Sequence, residues 1–107
     1  MKPVADISEL LVVLKSRENE LRAFGAHKLG VFGSFVRSDQ TGISDIDFLV
    51  EFVKGEKTYK NFIGLCFFLE KITGREVDLL TPESLPKDRE FTRNVLNEVK
   101  YYVTFNA

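Results

Sequence analysis

Gly33-Ser34-Phe35-Val36-Arg37 and, a few residues on, Ser44-Asp45-Ile46-Asp47-Phe48-Leu49-Val50 decide how this chain is read. The first segment follows an apolar run, His27 to Phe32, whose Leu29, Val31 and Phe32 predict a short strand. Gly33-Ser34 then makes a sharp turn into a new helical start. The second segment opens Ile46 to Val53, a stretch rich in β-formers with no Gly or Pro, which predicts a central strand ended by Gly55.

Upstream, Asp6 with Glu9 resembles a capping box. Ile7, Leu10, Leu11 and Leu14, then Leu21 and Phe24, recur at helical spacing until Gly25. Downstream, Thr58 caps a helix to about Thr73, with Phe62, Leu65, Cys66, Leu69 and Ile72 on one face and Gly74 as its stop. Phe67 lies almost opposite that face, and Ile63 well off it. Glu76 to Thr81 reads as a third strand, Pro82 and Pro86 bracket a turn, and a last helix runs from about Lys87 to Asn97. Tyr101 to Phe105 forms a short extended end. This order predicts an α/β (α+β) fold, a small sheet covered by helices. The pattern alone leaves strand directions open.

The 107 residues form one expected domain, 1–107, with no repeat, low-complexity tract or linker. An apolar fraction of 44% and a charged fraction of 29% describe an ordinary globule, and ten Phe without Trp predict a Phe-rich core. A net charge of -1 supplies no field that would draw in nucleic acid or an anionic membrane, so direct nucleic-acid binding is not expected and any phosphate must be bound locally. The N-terminus lacks the build of a signal peptide, and no run reaches the roughly 20 apolar residues of a membrane span. The single cysteine, Cys66, reads as a buried small hydrophobe, which fits a reducing, cytoplasmic setting.

Asp45 and Asp47 stand two apart at the start of the second strand, so alternation points both carboxylates to one face. Two such charges repel, and a divalent cation between them reverses the penalty. Asp78, between Val77 and Leu79, faces away from both. If the second and third strands are neighbours, it joins the pair in an all-oxygen site suited to Mg²⁺ or Mn²⁺ rather than Zn²⁺. Taken singly, Asp-x-Asp is more often a cap or solvated turn, and a lone strand Asp more often pairs with a base such as Arg75. The upstream turn changes that balance. Gly33 lets the backbone approach an anion, the Ser34 hydroxyl and free N–H groups can bind phosphate oxygens, and Arg37 returns to the same side as a cation.

Together, Gly33 to Arg37, Ser44 to Val50 and Val77-Asp78-Leu79-Leu80 resemble the minimal nucleotidyltransferase family of the DNA polymerase beta superfamily, over almost the whole chain. The resemblance implies a mixed sheet flanked by helices, Asp45 and Asp47 bridging two Mg²⁺ ions, and Asp78 completing the metal site that activates the acceptor. Gly33 and Ser34 would hold the triphosphate of ATP or another nucleoside triphosphate, with Arg37 assisting. It also implies a HEPN-type protein partner in a toxin–antitoxin module, the chain acting as antitoxin by adenylylating a tyrosine of that partner. Ile63, Phe67, Tyr101 and Tyr102 are candidate contact residues, with a core role equally open for each. Two other functions stand beside it: a silent module that neutralises its partner by occlusion, and transfer to a small molecule such as an aminoglycoside, whose enzymes carry a further domain. In one place the chain departs from the family: Ser38 stands directly after the Arg, where Gly is usual. The polar loop from Ser38 to Ser44 is expected to be a flexible flap.

Overall fold

The chain's computed structural model describes residues 2–87 and 89–104. Four strands form one sheet in the order β3-β2-β1-β4, where β1 is Ala26–Phe32, β2 Ile46–Phe52, β3 Val77–Leu80 and β4 Lys100–Thr104. β1 pairs antiparallel with β2 and with β4, whereas β2 and β3 run parallel. The two directions follow from the connections. A parallel return needs a long crossover, and the 15-residue helix Tyr59–Thr73 supplies it between β2 and β3. The sheet is therefore mixed, as the family resemblance implies.

Residues of β2 alternate between two faces. Ile46, Phe48 and Val50 point into the main core, where they meet Leu29 and Val31 of β1, Leu10 and Leu14 of the first helix, and Leu65, Leu69 and Ile72 of the crossover helix. Leu65 and Leu69 are fully buried, so truncating either to Ala would cost about 2–5 kcal/mol. Asp47 and Leu49 point to the other face. There Leu49, Phe32, Leu85 and Val95 form a smaller cluster beneath the last helix, Glu90–Glu98. One face of the sheet is thus closed by a large core and the other only partly covered.

The first helical stretch is two helices, α1 at Ile7–Ser16 and α2 at Glu18–Ala23. The Ser16 hydroxyl donates to the Val13 carbonyl at 2.7 Å, and the Arg17 N–H turns to Leu14 O at 3.2 Å, so the regular i→i−4 ladder is interrupted there. Asp6 caps α1 by accepting the Glu9 N–H, and Glu9 reaches back one residue further than a capping box would, to the Ala5 N–H. A short helix, α3, covers Ser34–Arg37; the crossover helix is α4 and the last helix α5. Thr58 caps α4 as expected, through the Asn61 N–H. Pro82–Ser84 is a single 3₁₀ turn, and α5 begins three residues later than its sequence pattern predicts.

On α4, Phe67 is exposed while Ile63 is half-buried. Cys66 is half-buried, and desolvation pushes its thiol above the ordinary value. Tyr101 and Tyr102 belong to β4, where Tyr102 packs against the main core and Tyr101 is hydrogen-bonded to Glu51. Phe105 lies outside the described residues. Among the described residues no helix is long and apolar enough to cross a membrane.

Candidate active site

Ladder pairing between β1 and β2 ends with Phe32 opposite Asp47. The next residue, Gly33, has φ 79° and ψ −152°, a conformation open essentially to glycine alone. Its missing side chain is used as well: a Cβ there would collide with Oδ2 of Asp47. The turn and the carboxylate pack directly on each other.

Parallel pairing then sets Asp78 of β3 opposite Asp47 of β2. Both occupy the partly covered face, with Val77 and Leu79 buried on the opposite one. Burial first, and then the charge and hydrogen-bonding reach of Asp78, with a smaller contribution from Asp45, raise the Asp47 pKa from its ordinary 3.8 to about 6. Asp78 itself is exposed. A cleft of about 950 Å³ opens above these residues, lined by Phe32, Gly33, Arg37, Asp47 and Asp78 on the sheet side and by Phe91, Asn94, Val95 and Glu98 of α5.

Two expected members stand apart from the cleft. β2 begins at Ile46, so Asp45 is the last residue of the preceding loop and not part of the strand, and strand alternation does not place it beside Asp47. It is exposed and lines a separate small hollow with Gly42, Gly74 and Arg75. Ser34 is half-buried at the start of α3 and does not line the cleft. Among the described residues, no three acidic, His or Cys side chains are gathered as a metal-binding group.

Glu98, which the sequence pattern does not single out, and Arg75 organise this region. Glu98, the last residue of α5, accepts the Gly33 N–H through Oε1 at 2.5 Å and Arg37 Nη1 through Oε2 at 2.9 Å. Arg37 also donates through Nε to Asp39 at 3.2 Å, and the two carboxylates, Glu98 foremost, raise its pKa above the ordinary value. Arg75 does not pair with Asp78. It donates to the carbonyls of Val4, Thr41 and Ser44 at 2.7, 2.9 and 2.9 Å and lies over the Phe35 ring. The Ser38–Ser44 loop is consequently tied down, further held by Gln40 to the Ala5 carbonyl and by the Ser44 hydroxyl accepting the Thr41 N–H. Ser38 adopts φ 62° and ψ 32°, the left-handed conformation in which Gly is the least strained residue.

A mixed sheet that sets a strand–Gly–helix turn against paired carboxylates defines a nucleotidyltransferase. The chain belongs to the nucleotidyltransferase domain family, whose model matches residues 9–102. It is 38% identical over 96 residues to the protein adenylyltransferase MntA of Thermococcus cleftensis, covering 89% of this chain and 94% of that protein. A solved structure described as a minimal nucleotidyltransferase superposes with a TM-score of 0.75 at 28% identity, over 90% of this chain and 95% of the other. The fold also recurs in a complex of a tri-AMPylated Shewanella oneidensis HEPN toxin with its MNT antitoxin, with a TM-score of 0.60 at 17% identity over 89% and 73% of the two chains.

Proposed function

We propose that this chain transfers AMP from ATP to a tyrosine hydroxyl of a HEPN-type protein partner and thereby serves as the antitoxin of a toxin–antitoxin pair. The observation that carries the reading is the side-by-side placement of Asp47 and Asp78 in a cleft walled by the Gly33 turn and Arg37. The MntA relative, itself named a protein adenylyltransferase, supports the reaction class, and the shared fold of an MNT antitoxin in complex with a HEPN toxin supports the partner. Residues 1–107 act as one catalytic domain in the cytoplasm, and another molecule supplies the acceptor.

The carboxylates in the cleft and beside it fit magnesium. Asp45, Asp47 and Asp78 offer only carboxylate oxygens, and part of the Asp47 pKa rise comes from its acidic neighbours, a penalty that a divalent cation reverses. Asp45 is exposed, so its carboxylate can rotate toward the other two. In this reading the three hold two Mg²⁺ ions. When bound, the metal neutralises triphosphate charge and lowers the pKa of the acceptor hydroxyl.

The protein's own groups perform the rest. The Gly33-Ser34 turn cradles the triphosphate at the edge of the cleft, with the Gly33 N–H kept by Glu98, and Arg37 pairs with its non-bridging oxygens. Asp78, the more exposed of the paired acids, faces the acceptor and takes the hydroxyl proton as that oxygen attacks the α-phosphorus in line. The new O–P bond forms as the bond to the bridging oxygen breaks, and pyrophosphate leaves.

The test incubates the chain and its co-purified partner with labelled ATP and Mg²⁺, then seeks an AMP-sized mass on a partner tyrosine. Asp47→Asn and Asp78→Asn should each abolish labelling, with Asp78→Asn retaining nucleotide binding. Labelling at the parent rate by Asp47→Asn would sink the proposal, whereas neutralisation of the partner without labelling by the parent chain would mark it as an occluding module.

A further inference from the structure

We infer that Glu98 is a positioning residue for the nucleotide, holding the Gly33 turn and the Arg37 guanidinium in register for the triphosphate. The inference rests on the reading that these two groups bind that triphosphate. Its first ground is a local conflict. Glu98 ends α5, a helix with no basic residue in its last turn, and a carboxylate at a helix C-terminus meets the negative end of the helix dipole. Such a placement is unfavourable by itself and is balanced here by contacts made outside the helix.

Those contacts define the role. Ladder pairing stops at Phe32, so the Gly33 N–H has no strand partner, and Glu98 Oε1 accepts it at 2.5 Å. Oε2 of the same carboxylate accepts Arg37 Nη1 at 2.9 Å. Arg37 is a long side chain with 52% of its surface exposed, whereas Glu98 is only 24% exposed. The exposed partner is therefore anchored by the sheltered one. The backbone of Glu98 is fixed in turn, since Val95 and Val99 on either side of it pack with Phe32 and Leu49 against the sheet.

The anchoring leaves Arg37 available. A guanidinium has five N–H donors; among the described residues Nε serves Asp39 and Nη1 serves Glu98, which leaves both protons of Nη2 for a phosphate. An anion that merely filled the phosphate position would act in the opposite sense, and its removal would tighten nucleotide binding.

The experiment measures the affinity of the full chain for ATP with Mg²⁺ by titration calorimetry, in the parent and in Glu98→Ala, Glu98→Gln, Arg37→Ala and Arg37→Ala/Glu98→Ala. Loss of a charge-assisted contact predicts about a tenfold weaker affinity for Glu98→Ala. Glu98→Gln keeps an acceptor for the Gly33 N–H and should fall about threefold, and it carries the test if the Ala variant does not fold. In the Arg37→Ala background the Glu98→Ala loss should shrink below about threefold, because the two residues act as a coupled pair. Parental or tighter binding by a folded Glu98→Ala chain would overturn the inference, as would a full tenfold loss in the Arg37→Ala background, which marks a purely structural role. Parental binding by Arg37→Ala would instead refute the underlying triphosphate reading.

Discussion

Replacing Asp47 by Asn should make the metal-free protein more stable while abolishing transfer. The fold raises the Asp47 pKa from 3.8 to about 6, so it favours the neutral carboxyl over the carboxylate. At ~1.4 kcal/mol per pKa unit, this shift corresponds to an upper bound of about 3 kcal/mol. The group is only half-buried, and solvent screening lowers the figure to about 1–2 kcal/mol. Because the folded-state pKa is raised, the stabilising contribution of the neutral carboxyl is fully present below pH 3.8 and is lost as pH rises through about 6. Near pH 7.5 without divalent cation, the parent carries a crowded carboxylate, whereas the Asn amide is neutral and can donate to Asp78. Thermal melts followed by circular dichroism in EDTA should place the Asn variant about 5–10 °C above the parent near pH 7.5, with the gap closing near pH 4. Added Mg²⁺ should raise the parent's melting temperature and leave the variant's nearly unchanged. A variant no more stable than the parent near pH 7.5 in EDTA would refute the electrostatic argument.

Gly33→Ala should lose ATP binding in calorimetry and destabilise the fold by about 2–4 kcal/mol in urea titrations, since the new Cβ meets both a disallowed conformation and the Asp47 carboxylate. Ser38→Gly should act the other way, raising the urea midpoint by an amount equivalent to about 1 kcal/mol through relief of the left-handed strain at φ 62°. Burial and the hydrogen bond to Glu51 push the Tyr101 phenol up to about 12, so the neutral form is favoured by the fold; its contribution holds below pH 10 and disappears as pH rises through about 12. Absorbance titration near 295 nm should show one phenolate forming last, and that late step should vanish in Tyr101→Phe.

Much of the candidate site was legible because its residues are marked by their immediate neighbours in sequence. Gly33 before a helix start, Asp47 among β-formers and Asp78 between two apolar neighbours each carried their environment in adjacent residues, and all three line the cleft. Asp45 falls one residue short of the strand, at the end of the preceding loop. Alternation put it on the strand face, but Arg75 holds the carbonyls of Thr41 and Ser44 and keeps the chain a loop up to Ile46. That contact spans 31 residues and has no short-range signal. Glu98 was missed for the same reason, since its partners lie 65 and 61 residues away and an acid near a helix end reads as solvated surface. The break at Arg17 depended on a hydroxyl returning to its own helix, and the strand directions on long-range pairing that apolar periodicity does not encode.

The parallel register of β2 and β3 makes chain length a determinant of chemistry. Asp78 reaches the open face only because Val77 pairs with Ile46 and the count from Gly74 is what it is. Inserting or deleting a single residue between Gly74 and Val77 would keep β3 able to pair but exchange its two faces, turning Asp78 toward the core and Leu79 toward the cleft. The span from Gly74 to Asp78 is therefore a ruler: a change of one in its length separates the two acids even where every side chain along it is kept.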